Sequence, residues 1–167
     1  VRLWLVQMEQ VGVKSLVVGS ITTFFTGMVL ALQTAYSLPE LGVKFYMGSV
    51  VSKTLTRELG PVLIALLVGG RIGAGMAAEI GTMKVTEQID ALRSMAADPV
   101  KKLVVPRLAA TLIMLPILTV IGDAMGILGG LLIATTQLNV TSGIYWNDVV
   151  DALTMGDLFS GLGKSVF

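Results

Sequence analysis

The chain has no cysteine and no histidine. Without thiols there is no disulfide and no thiolate nucleophile or metal ligand. Without imidazole, the commonest general base and metal ligand is missing too. Charge is scarce: 14% of residues are Asp, Glu, Lys or Arg, against about 25% in a soluble domain. The net charge of +1 makes no case for a nucleic-acid or other polyanionic partner. A membrane enzyme acting on lipids would need a nucleophile–base or metal constellation, and these shortages argue against one.

Apolar length is what the chain has. Hydrophobic residues make up 54%, and mean hydropathy is +0.83. Residues 15–36 form 22 consecutive positions without a charge, enough to cross about 30 Å of hydrocarbon at ~1.5 Å per residue. Residues 59–78 carry only Arg71, and residues 108–135 only Asp123. A further apolar run begins at Leu158. The expected fold is all-α: a polytopic helical membrane bundle forming one domain over residues 1–167. Val1 is not a start methionine, so the chain reads as a fragment cut within its fourth span, 158–167.

Basic residues set the orientation. Residues 79–107 hold Lys84, Arg93, Lys101, Lys102 and Arg107, whereas 37–58 hold Lys44, Lys53 and Arg57. Residues 137–157 hold none, and carry Asp148, Asp151 and Asp157. The middle segment is therefore expected in the cytoplasm and the other two outside. Before the first span, Arg2 to Lys14 places Trp4, Met8 and Val11 on one helical face, the pattern of an interfacial helix with Trp4 at headgroup level.

Small residues recur every four positions in three spans. Gly19, Thr23, Gly27, Ala31 and Ala35 form one stripe; Gly69, Gly73, Ala77 and Gly81 a second; Gly122, Gly126, Gly130 and Ala134 a third. Such stripes let backbones approach closely in lipid, so three of them predict a tightly packed bundle.

Two nucleotide-like patterns fail on context. The run from Gly73 to Ala78 fits G-x-G-x-x-A, but it continues a helical stripe where a dinucleotide site needs a strand and tight turn. Gly163-Lys164-Ser165 resembles the end of a phosphate loop, yet Leu158 stands where that loop needs glycine.

Residues 82–98 are different. Val85, Ile89, Leu92 and Ala96 share a helical face, with Glu87, Asp90 and Arg93 elsewhere, and Pro99 ends the segment. This reads as a short cytoplasmic helix between two spans. The intramembrane charges Arg71 and Asp123 mark paired or functional positions, because such charges are costly. Counting rise per residue puts Asp123 about 24 Å above Arg107 and Lys164 at about 20 Å, so these two are expected to pair or to share a polar cavity.

At RELGP (Arg57 to Pro61), GGRIGAGMAAEIG (Gly69 to Gly81), EQIDAL (Glu87 to Leu92) and ADP (Ala97 to Pro99), the chain resembles the MlaE-type permeases. The likeness continues through LPILTVIGDAMGILGG (Leu115 to Gly130). These are membrane subunits of ABC transporters that move lipids across cell envelopes. The resemblance implies about five spans in a homodimer, two cytosolic ATPase subunits that bind the ATP, and an MCE-domain substrate-binding protein outside. It implies no cofactor on the permease itself, no catalysis, and a multi-pass location in the inner membrane.

Carried onto this chain, Glu87, Gln88, Asp90, Leu92 and Arg93 are the expected ATPase contact. Arg57, Glu58 and Leu59 fall in the family's lipid-pocket region, expected at the outer boundary of the second span. There Arg57 can meet a lipid phosphate, and Leu59, Leu63 and Leu66 can line acyl chains. Lys164 is placed with them. The alternative is a membrane scaffold that assembles a lipid-handling complex without binding lipid.

Overall fold

The computed structural model describes residues 8–37, 46–95, 98 and 100–166. Its described elements are helical, and three stretches are long and apolar enough to cross a membrane: Val11–Ser37, Met47–Val85 and Val105–Thr136. The first is α1 (Lys14–Ser37), led in by a π-turn at Glu9–Val13. Lys14 has helical backbone angles, so the turn runs directly into the span. Trp4 and the start of the expected interfacial helix lie outside the described residues.

The second stretch joins α2 (Met47–Thr54), a π-turn at Leu55–Leu59, and α3 (Gly60–Val85). Hydropathy alone starts this span at Leu59; the structure carries helix back to Met47. Met47, Val51 and Leu55 explain why, since their helical spacing buries them together in the main core with Ala31, Ile127 and Tyr145. After α3 come α4 (Gln88–Ser94), a π-turn at Val100–Val104, and α5 (Val105–Thr136).

Residues 137–157, expected as an outer connection, hold α6 (Ser142–Ala152), and α7 (Met155–Val166) covers the run from Leu158 expected to open a fourth span. Tyr145, Val149 and Ala152 make the buried face of α6. The Tyr145 hydroxyl donates to the Ile127 carbonyl at 3.1 Å, and the Ser49 amide to Asp148 Oδ2 at 2.7 Å. These bonds tie α6 to α5 and α2.

The first and third small-residue stripes meet. A Cβ on Gly27 would lie 1.9 Å from the Gly126 carbonyl oxygen, and one on Gly129 would lie 2.1 Å from that of Phe24. Only glycine allows α1 and α5 to touch backbone to backbone there. The second stripe does not join them: a Cβ on Gly69, Gly73 or Gly81 would meet nothing within 4 Å among the described residues. Small side chains permit close approach without creating it.

The same seam gives relative depth. A Cβ on Gly126 would be 2.8 Å from Leu55 Cδ1 and 3.1 Å from the Thr23 carbonyl oxygen. The π-turn is thus level with Thr23, about 12 Å along α1 from Ser15 and near the middle of its apolar run.

Candidate functional site

Arg57 and Glu58 stand on the π-turn between α2 and α3, and α7 crosses beside them. Arg57 Nε lies 3.2 Å from Asp157 Oδ1, and Lys164 Nζ lies 2.7 Å from Glu58 Oε1. Two oppositely charged pairs therefore close the same small surface. Arg57, Glu58 and Lys164 are partly open to the surroundings, while Asp157 is buried.

Local sequence builds both sides. Pro61 sits four residues after Arg57, where an ordinary helix would supply an N–H to the Arg57 carbonyl, and proline has none. Lys164 Nζ donates to that carbonyl instead, at 2.9 Å. On α7, Thr154 and Asp157 cap the helix reciprocally. The Thr154 amide and hydroxyl donate to Asp157 Oδ2 at 3.1 and 2.8 Å, and the Asp157 amide donates to Thr154 Oγ1 at 3.3 Å. Oδ2 is held by the cap, and Oδ1 faces Arg57.

Asp157 and Lys164 are seven residues apart, two helical turns, and so share a face. Gly161 lies between them. A Cβ there would sit 2.1 Å from the Thr56 carbonyl oxygen and 3.4 Å from Pro61 Cγ. The missing side chain lets α7 press onto the π-turn closely enough for both pairs to form.

The expected Asp123–Lys164 pairing is not what the structure shows. Lys164 is taken by Glu58 and the Arg57 carbonyl. Asp123 packs under the turn, where a Cβ on Gly60 would be 1.7 Å from its Oδ1. That oxygen is buried without a hydrogen-bond partner among the described residues. A depth count ignores rotation about the helix axis, and Asp123 meets the turn from α5 while Lys164 meets it from α7.

Leu59, Leu63 and Leu66 follow one helical face of α3. Leu59 is half-buried against the main core, Leu63 is half-buried, and Leu66 is exposed. The exposed wall is thus Leu66 with part of Leu63. Arg57 and Glu58 stand on the π-turn whose Leu55 packs at the level of Thr23.

Arg71 lies farther along α3, where its Nη1 donates to the Lys14 carbonyl at the start of α1. Still nearer the helix end, Glu79 Oε2 meets Arg107 Nη2 at 2.6 Å. The expected single helix over 82–98 is divided. Residues 82–85 belong to α3, and Glu87 adopts a left-handed backbone (φ 57°) before α4 begins. Val85 is therefore exposed and does not share a face with Ile89 and Leu92. Glu87, Gln88 and Asp90 are exposed and Leu92 is half-buried. Lys84 Nζ binds Asp90 Oδ2 at 2.7 Å, bridging the bend. Arg93 is on α4, with its side chain outside the described set. Ala96 and Pro99 are outside it altogether.

Sequence reasoning missed Asp157 and Gly161 as site residues. The Thr154-x-x-Asp157 cap and the two-turn spacing to Lys164 were the available signals.

Residues 4–167 match the family Permease MlaE. The chain is 46% identical over 159 residues to a probable ABC transporter permease protein of Rickettsia typhi, covering 95% of this chain and 61% of that protein. It is 40% identical over 162 residues to the intermembrane phospholipid transport system permease protein MlaE of Haemophilus influenzae, covering 96% and 62%. It is 36% identical over 159 residues to the chloroplastic protein TRIGALACTOSYLDIACYLGLYCEROL 1 of Arabidopsis thaliana, covering 95% and 45%. The chain spans less than two thirds of each relative. A match running from α1 through α7, on a bundle of apolar helices joined by a short charged one, identifies the chain as a member of the MlaE permease family.

Proposed function

We propose that this chain is the lipid-handling part of an ABC transporter permease, set in the inner membrane and moving phospholipid between membranes of the cell envelope. The observation that carries the reading is the ion-paired quartet Arg57–Asp157 and Glu58–Lys164 on one small surface, with Leu66 exposed about two turns farther along the same helical stretch. Charges within a candidate membrane span are expensive and are retained where they serve a polar path. Pairing with each other makes them tolerable between transport events. Exchanged, Arg57 and Lys164 offer donors to a lipid phosphate, while the leucine face takes an acyl chain.

The energy comes from outside the chain. ATP is hydrolysed by cytosolic ABC ATPase subunits that dock on α4, through Glu87, Gln88, Asp90, Leu92 and Arg93. A second permease copy and an MCE-domain protein complete the path. Lys84–Asp90 bridges α4 to the end of α3, and the π-turn runs into the other end of α3. A push on α4 therefore reaches the quartet along one continuous helix.

The test is reconstitution of the full-length permease with its ATPase and MCE-domain partner, following transfer of fluorescent phospholipid between vesicles. Arg57→Gln is expected to lower transfer about tenfold or more with assembly intact, the scale of losing a charge-assisted contact to phosphate. Unchanged transfer and unchanged lipid content would refute the site.

A further inference from the structure

A cavity lies between the start of α1 and the half of α3 nearer Val85, the end expected to face the cytoplasm. Its volume is about 290 Å³, and its walls include Lys14, Ser15, Arg71, Ile72, Met76 and Glu79. We propose that this cavity binds the phosphodiester headgroup of a phospholipid in the cytoplasmic leaflet, as a lipid site separate from the Arg57–Lys164 quartet. It rests on the orientation given above and not on the quartet's role.

Charge is the first support. Glu79 is already neutralised by Arg107 at 2.6 Å. The Lys14 ammonium has no partner among the described residues, and Arg71 spends one N–H on the Lys14 carbonyl. That bond fixes the guanidinium against α1 and leaves its other donors available. The wall is left with two positive charges to be matched by an anion.

Ser15 supplies the independent observation. It is 2% exposed, and its hydroxyl has no hydrogen-bond partner among the described residues. A buried hydroxyl left unpaired calls for an explanation, and a phosphate oxygen in the cavity beside it would accept its proton.

Depth and size select a lipid over a free anion. Ser15 begins the uncharged run of α1, so the cavity lies where headgroups meet hydrocarbon. Its volume is at the lower limit of ligand pockets, which suits a headgroup and excludes two acyl chains. Those chains have an exit along Val18 and Ile21, exposed apolar residues one and two turns farther up α1.

The experiment titrates the intact permease–ATPase complex in detergent with phosphatidylglycerol and counts bound lipids by native mass spectrometry. The wild type is expected to hold a lipid at this site in addition to any at the quartet. Lys14→Gln with Arg71→Gln should remove that lipid, or weaken it about tenfold or more, while Arg57→Gln leaves it in place. Ser15→Ala should weaken it about threefold without lowering thermal stability, because its hydroxyl has no hydrogen-bond partner to lose among the described residues; it decides the matter if the double variant fails to assemble. Unchanged binding in these variants overturns the proposal, as does equally tight binding of diacylglycerol, which lacks the phosphate. Displacement of the lipid by millimolar inorganic phosphate would make this a free-anion site and overturn the lipid assignment.

Discussion

Lys164 donates to the main-chain carbonyl of Arg57 at 2.9 Å, and the same ammonium binds Glu58 at 2.7 Å. One side chain of α7 thereby stands in for the amide that Pro61 lacks and balances the neighbouring carboxylate. A backbone hydrogen bond that proline cannot make, normally a weakness, becomes the place where the two elements lock.

A charge exchange tests whether that lock matters for transport. Lys164→Glu alone places two carboxylates side by side and should abolish lipid transfer in the reconstituted complex. Adding Glu58→Lys restores opposite signs and should recover a measurable part of it. Recovery will be incomplete, because the glutamate now on α7 accepts hydrogen bonds and cannot donate to the Arg57 carbonyl. If the double exchange is as inactive as the single one, the pair is not what α7 contributes.

Gly161 offers a steric version of the question. A methyl group there would lie 2.1 Å from the Thr56 carbonyl oxygen, a backbone atom that cannot swing aside. Gly161→Ala should push α7 outward, separate both ion pairs and cost about 1–3 kcal/mol, as overpacking does. Gly163, two residues on, has nothing within 4 Å among the described residues. Gly163→Ala should be neutral or stabilising by about 0.5–1 kcal/mol through helix propensity. Thermal unfolding of the two variants in one detergent makes the comparison.

Much of the fold was legible because apolar length is a strong signal. Residues 15–36 and 108–135 fall within the candidate spans Val11–Ser37 and Val105–Thr136. The start of the second stretch was hidden by its own charges. Lys53, Arg57 and Glu58 look like a loop in a hydropathy count, yet Met47, Val51 and Leu55 hold the segment helical from the opposite face. Three of the quartet were legible: Arg57, Glu58 and Lys164 stand out in the sequence, whereas Asp157 reads there as one more outer acidic residue. Which charge meets which depends on rotation about each helix and on the space left by Gly161, and neither is written in composition.

The bend before α4 carries a prediction about coupling. Asp90 is held to Lys84 at 2.7 Å, and Glu87 occupies the left-handed position at the bend. Glu87→Lys with Asp90→Lys reverses two charges on an exposed surface and replaces an attraction by a repulsion from Lys84. The spans should keep their thermal stability, since these residues are exposed. ATPase copurification should weaken, and ATP turnover should no longer drive lipid transfer. Unaltered copurification together with unaltered transfer would remove α4 from the coupling path.

The seam between α1 and α5 makes the sharpest contrast in the molecule. A Cβ on Gly27 would be 1.9 Å from the Gly126 carbonyl oxygen, and one on Gly126 would be 2.8 Å from Leu55 Cδ1. In lipid, helices associate through such close packing, with no hydrophobic drive to compensate for its loss. Gly126→Leu should therefore separate α1 from α5 and displace the π-turn beneath Arg57 and Glu58, lowering both thermal stability and lipid content. Gly73→Leu places the same side chain in a stripe of identical spacing, where nothing lies within 4 Å among the described residues. It should leave the fold of this bundle intact. Equal losses in the two variants would mean that the stripe of α3 is packed as tightly as the seam, and that spacing alone decides the effect; a large loss in Gly126→Leu only would assign it to the contact with Leu55 and Thr23.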